Sequence, residues 1–151
     1  MMKIRINSLD DTNRLARILA SKVKVGDVIC LNGDLGAGKT TFTKFFAKEL
    51  GITEIVNSPT FNIIKCYFNK NMNLYHIDAY RLEGVSDDIG LDEYIYGDGV
   101  CVIEWGEFIK DLIPDNNITL DIRRVDEVSR DVEITGNNSL VKDVIEAWQE
   151  Y

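Results

Sequence analysis

The run Gly33-Asp34-Leu35-Gly36-Ala37-Gly38-Lys39-Thr40 constrains this chain more than any other feature. Its spacing, glycine, four residues, then Gly-Lys-Thr, requires a strand before it and a helix after it. Both are legible. Val28-Ile29-Cys30-Leu31 is short and continuously apolar, and it follows the turn Gly26-Asp27. That pattern suits a strand buried on both faces of a parallel sheet. Phe42, Phe45, Phe46 and Leu50 then mark one helical face, which Gly51 closes. In such a loop the glycines let backbone N–H groups turn inward around phosphate oxygens. The helix N-terminus adds partial positive charge. Lys39 reaches the β- and γ-phosphates, and the Thr40 hydroxyl offers Mg²⁺ a hard oxygen ligand. With these flanks, a chance glycine loop is the weaker explanation, and the expected ligand is Mg-ATP. No Asn-Lys-x-Asp guanine-reading motif is present.

The remaining segments build a sheet around that unit. Ile4 to Ile6 alternates as a short edge strand. Asp10-Asp11-Thr12 offers N-cap residues for a helix running to about Val23, with Leu15, Ile18 and Leu19 inward. Phe61 to Phe68 and Leu74 to Ile77 read as a hairpin across the turn Asn69 to Asn73. A mostly helical region is expected from Leu82 to Tyr96. Val100-Cys101-Val102-Ile103 is a second buried strand, and Phe108 to Ile113 a short helix before Pro114. Ile118 to Ile122 and Val128 to Ile134 alternate as a second hairpin. Ser139 is placed to cap a last helix carrying Val141, Val144, Ile145 and Trp148 inward. The fold class is α/β: a P-loop NTPase-like mixed sheet with flanking helices. It reads as one domain over residues 1–151, with the Val28 and Val100 strands central.

Composition limits the function classes. The 17 Lys and Arg face 25 Asp and Glu, a formal net charge of −8. Nucleic-acid binding is dominated by phosphate neutralisation, so no autonomous binding to RNA or DNA is expected. Arg123-Arg124 reads as a solvated strand end. No apolar run approaches the roughly 20 residues that cross a bilayer, and the N-terminus has no apolar stretch of signal-peptide length. The expected location is cytoplasmic, without a membrane partner. The 3 cysteines form no C-x-x-C pair, and there is 1 histidine, His76. Neither a disulfide framework nor a histidine-rich metal site is expected.

Phosphate chemistry with Mg²⁺ needs acidic groups. Asp78 closes Leu74-Tyr75-His76-Ile77, and Glu104 closes Val100-Cys101-Val102-Ile103. Ligands gather beyond the carboxyl ends of strands in open α/β sheets. Both carboxylates therefore face the phosphates if their strands run parallel to the loop strand. The run into Glu104 resembles a Walker B element. Otherwise each is an ordinary polar strand end. Thr60, after Ser58-Pro59, stands where many P-loop proteins place a segment that senses the γ-phosphate; read by itself the tripeptide is a plain turn. Trp105 is either core or a wall of the site. His76 reads as a strand residue, and Arg81 as a phosphate contact or a partner of Asp87 or Asp88.

Four motifs in order, Gly33 to Phe42, Ser58-Pro59-Thr60-Phe61, His76-Ile77-Asp78-Ala79-Tyr80-Arg81-Leu82 and Val102-Ile103-Glu104-Trp105, resemble the TsaE family, formerly YjeE. The likeness runs from about Asp10 to Arg130. It implies a weak, bacterial, cytoplasmic ATPase needed to make threonylcarbamoyladenosine beside the anticodon of tRNA. The partners it implies are TsaB and TsaD, with TsaD performing the transfer and ATP hydrolysis resetting the complex. The tRNA would then be met indirectly, in keeping with the acidic charge. The resemblance assigns Lys39 to the phosphates, Thr40 and Glu104 to Mg²⁺, Asp78 to the second carboxylate and Thr60 to the switch. It places Asp11, Thr12 and Arg130 near the base, and Gly33, Asp34, Leu35, Gly36, Ala37, Gly38, Thr41 and Trp105 around the nucleotide. Asn62 departs from the threonine common at that position. A free-standing small-molecule kinase and a non-hydrolysing nucleotide sensor are the competing readings. No arginine-rich lid segment favours the kinase.

Overall fold

A computed structural model describes residues 2–34, 36–57, 59, 63–83 and 90–150. The elements are β1 (Met2–Ile6), α1 (Leu9–Lys22), β2 (Val28–Asn32), α2 (Lys39–Glu49), β3 (Ile64–Tyr67) and β4 (Asn73–Asp78), then α3 (Asp92–Ile95), β5 (Gly99–Glu104), β6 (Ile118–Arg124), β7 (Arg130–Gly136) and α4 (Leu140–Gln149). Short 3₁₀ turns cover Tyr80–Leu82 and Gly106–Leu112.

One seven-stranded sheet runs β1-β7-β6-β2-β5-β4-β3. β2 lies parallel to both β5 and β6, and β5 lies parallel to β4. Antiparallel strands finish each side: β3 on β4, then β7 on β6 and β1 on β7. The apolar runs explain this order. Val28, Ile29 and Leu31 of β2 and Val100 to Ile103 of β5 are fully buried. Only strands covered on both faces need side chains apolar at every position. On the side of the sheet that ends in β1 the strands alternate instead, as β6 and β1 do.

α1, α2 and α4 cover one face, where Leu15, Leu19, Phe42 and Phe46 pack with Ile29, Leu31, Val102 and Ile134. Val28, Cys30, Ile77, Cys101 and Ile103 point to the other face, against Leu91, Ile95 and Ile109. Each buried leucine or isoleucine contributes about 1.5–3 kcal/mol, so both faces hold the sheet firmly. β2, β5 and β4 are parallel, so Leu31, Glu104 and Asp78 all lie at the same end of the sheet.

Three local expectations change. The α1 cap is Ser8, whose Oγ accepts from Asp11 N at 3.2 Å, rather than the acids after it. Ser139 makes no side-chain cap bond; Asn138 Oδ1 accepts from Leu140 N at 2.9 Å. Between Leu82 and Tyr96, the described residues form a 3₁₀ turn and the four-residue α3, not an extended helix. Leu91 and Ile95 keep helical spacing and are buried, but Gly90 has φ +83°, which breaks the helix before them. Asp87 and Asp88 lie outside the described residues.

Candidate functional site

The loop leaves β2 at Asn32 and enters α2 at Lys39. Two glycines make its path possible. Gly38 caps α2 at φ +109° and ψ 16°, a conformation that disfavours a side chain. At Gly33, φ +149°, a Cβ would come within 2.5 Å of the Ile122 carbonyl oxygen. The backbone can then press against β6. Ala37 N bonds to Asp34 O at 3.0 Å, closing the turn. Asp34 itself is exposed, and Leu35 lies outside the described residues.

Two cavities meet at this loop. One, of about 650 Å³, is lined by Gly36, Gly38, Lys39, Thr40, Thr41, Asp78, Tyr80, Glu104, Trp105 and Arg130. The other, of about 530 Å³, is mainly apolar, with Leu9, Leu15, Phe42, Ile122 and Val128 in its walls beside Asp10 and Thr12. They share Gly38, Thr41 and Arg130, so they form one trough with a charged end and an apolar end. Both volumes fall in the range of small-molecule sites. Asp11 does not line the trough; its carboxylate accepts from Asn7 N at 2.9 Å.

At the charged end Lys39 is 6% exposed. Its Nζ donates to Gly33 O at 2.7 Å and lies 4.3 Å from the Trp105 ring centre. An ammonium over an indole face is attracted by the ring quadrupole. Trp105 has φ 59° and ψ 39°, rare for a bulky residue. Its ring stacks on Phe108 at 5.9 Å and meets Tyr80 edge-on at 5.1 Å. This packing holds the strained conformation beside the site, where such strain tends to collect.

Across from Lys39, Asp78 and Glu104 occupy paired register positions on β4 and β5 and are 6% and 4% exposed. Asp78 Oδ1 accepts from Tyr80 N at 3.0 Å, and Ala79 N donates to Glu104 O at 2.9 Å. Glu104 Oε2 lies 2.6 Å from His76 Nε2. Arg130 reaches back from β7: its Nε donates to Ala37 O at 2.8 Å, and its Nη1 to Asp126 O and Ser129 O. The structure thus brings together Lys39, Thr40, Thr41, Asp78, Glu104, Trp105 and Arg130, with Thr12 at the apolar end. Thr60, with Ser58, Phe61 and Asn62, lies outside the described residues.

The donor set fits Mg²⁺. Thr40, Asp78 and Glu104 offer only oxygens, which a hard cation prefers. Among the described residues no cluster of three or more His, Cys, Asp or Glu could hold a metal alone. Sequence reasoning missed the His76–Glu104 pair and the Phe108 stack. The spacing of His76 and Asp78 gives only that the two share a face; the reach to Glu104 is set by the β4–β5 register.

Fold and loop define a P-loop α/β protein. Residues 6–132 match the family profile described as "Threonylcarbamoyl adenosine biosynthesis protein TsaE". A Bacillus subtilis protein named tRNA threonylcarbamoyladenosine biosynthesis protein TsaE is 48% identical over 134 residues, covering 89% of this chain and 85% of that one. A Treponema pallidum protein of the same name is 39% identical, covering 88% and 99%. The crystal structure of YdiB from Bacillus subtilis superposes with a TM-score of 0.81 at 39% identity, covering 99% of this chain and 94% of the other. The chain belongs to the TsaE family.

Proposed function

We propose that this protein binds Mg-ATP in the trough and hydrolyses it slowly, as the ATPase subunit of the machinery that makes threonylcarbamoyladenosine on tRNA. The observation that carries the nucleotide reading is the trough itself. An apolar end is joined through Gly38, Thr41 and Arg130 to a charged end holding Lys39, Asp78 and Glu104. A nucleotide has the same two halves. The tRNA role is supported by the family and by the printed names of the relatives.

The residues divide the work. Leu9 and Val128 are exposed apolar lips for the base. The loop amides and the N-terminus of α2 receive phosphate oxygens without needing a mobile side chain. Lys39 leaves Gly33 O and Trp105 to pair with the β- and γ-phosphates. The Thr40 hydroxyl and the Glu104 carboxylate would hold Mg²⁺, with Asp78 beside them; when bound, the ion neutralises charge on the phosphate oxygens. Asp78 and Glu104 would repel a phosphate that arrives without the cation. Turnover would be slow without partners, as in other P-loop proteins that await a stimulating partner.

Those partners, in this proposal, are TsaB and TsaD, which would also hold the tRNA. The net charge of −8 supports an indirect role toward RNA. The test is ATP hydrolysis by the protein alone and then with its own TsaB and TsaD, with Lys39→Ala as control. Turnover that rises with the partners and vanishes in the variant is expected. No association and no stimulation would overturn the assembly reading and favour a free-standing kinase.

A further inference from the structure

Glu104 is held by a residue that the nucleotide reading leaves without a task. His76 Nε2 lies 2.6 Å from Glu104 Oε2, and the two side chains are 0% and 5% exposed. The sheet register makes the contact. His76 pairs with Val102 and Asp78 with Glu104 on the parallel strands β4 and β5. Side chains two apart share a face, so His76, Asp78 and Glu104 point to the same side of the sheet. Their neighbours Leu74, Val100 and Val102 pack there with Phe42 and Phe46 of α2. His76 thus reaches diagonally to the carboxylate on the next strand.

The other ring nitrogen is informative. His76 Nδ1 is buried with no hydrogen-bond partner among the described residues. A buried polar atom left unpaired costs free energy. An apolar side chain would fill this space among Leu74, Val100 and Val102 without that penalty. What the imidazole adds, and leucine would not, is one donor aimed at Glu104.

We infer that His76 is the positioning residue for Glu104. Nε2–H donates to Oε2, fixes the plane of the carboxylate, and leaves Oε1 for the cavity that Glu104 lines. Buried hydrogen bonds to a ligating carboxylate orient it, and losing one costs about 10–100-fold in metal affinity or activity. His76 itself touches neither phosphate nor ion. The inference rests on the reading of Glu104 as an Mg²⁺ ligand.

The test replaces the imidazole by amides of different reach. In His76→Gln the side-chain nitrogen takes the place of Nε2; in His76→Asn it takes the place of Nδ1 and stops short of Glu104. ATP binding is titrated by calorimetry at rising MgCl₂ and again in EDTA, with thermal melts of both variants. His76→Asn should need about 10-fold more Mg²⁺ for its half-effect, while His76→Gln stays within about 3-fold of the parent. ATP binding in EDTA should be unchanged in both. Combined with Glu104→Gln, His76→Asn should add nothing further. If His76→Asn fails to fold, His76→Leu carries the same expectation. An unchanged Mg²⁺ requirement in His76→Asn overturns the inference, as does an equal loss in His76→Gln, or a loss that persists beside Glu104→Gln. A parent protein that binds ATP identically with and without Mg²⁺ instead removes the reading of Glu104, and this inference with it.

Discussion

Arg130 straps the phosphate loop to the β6–β7 hairpin, and replacing it by lysine should loosen that loop without unfolding the protein. The guanidinium is shared between two places. Nε donates to Ala37 O at 2.8 Å inside the loop, and Nη1 donates to Asp126 O at 2.8 Å and Ser129 O at 3.0 Å at the start of β7. A charge-assisted bond is worth about 1.5–3 kcal/mol in a protected setting. The Nη1 bond to Asp126 is exposed and is discounted. The part-buried bond to Ala37 O then contributes about 1–2 kcal/mol, and it orders the backbone that meets phosphate. Lysine keeps the charge and the reach, but its single nitrogen cannot serve both anchors. ATP affinity should therefore fall about 5–30-fold in Arg130→Lys, since 1.4 kcal/mol is tenfold. Arg130→Ala should lose at least as much. Titration calorimetry with MgATP measures the loss, and thermal melts should move by only a few degrees. Parent-like affinity in Arg130→Lys would refute the strap, because charge alone would then suffice.

Three further outcomes follow from the packing. At Gly136 (φ +128°) a Cβ would collide with the Asn117 carbonyl oxygen, whereas at Gly26 (φ +94°) it meets nothing. Gly136→Ala should lower the melting temperature by about 6–12 °C and Gly26→Ala by about 2–6 °C; equal effects would show that the close approach is irrelevant. Burial raises the Cys30 thiol from 9.0 to about 11. The unfolded chain then ionises first, so stability present below pH 9 should be lost between pH 9 and 11, with a slope of up to about 1.4 kcal/mol per pH unit. Cys30→Ala should lessen the slope of urea-melt stability over that range, leaving the part contributed by the buried Cys101 and Tyr75; an identical slope in the variant would remove this cause. Lys39 lies 4.3 Å from the Trp105 ring. In a Trp148→Phe background, MgATP should change the remaining tryptophan emission, and Lys39→Met should abolish the change; a full response in the variant would mean that Lys39 does not leave the ring.

How much was legible follows from the range of each interaction. The loop with its strand and helix was readable because Val28 to Leu31 and Phe42 to Leu50 carry the full apolar periods locally. The placement of Asp78 and Glu104 was readable as a condition: both face the site if β4 and β5 run parallel to β2, and they do. The Ala37–Arg130 bond was not, since it joins residues 93 apart and depends on how the β6–β7 hairpin folds back. Nor was the role of His76, because diagonal reach depends on register, and a shift of one residue would turn its side chain to the other face. Of the region expected to be mostly helical, residues 84–89 lie outside the described residues; beyond them the positive φ of Gly90 limits the helix that carries Ile95 to the four residues of α3.

The central claim is that one trough holds Mg-ATP, with phosphates on Lys39 and the ion on the oxygens of Thr40 and Glu104. Calorimetric titration of ATP into the parent protein and into Lys39→Ala, each in MgCl₂ and in EDTA, tests it most directly. The account predicts saturable binding by the parent that tightens with Mg²⁺, and a loss of about 100-fold or more in Lys39→Ala. Equal binding by both proteins, or none by the parent, would contradict it.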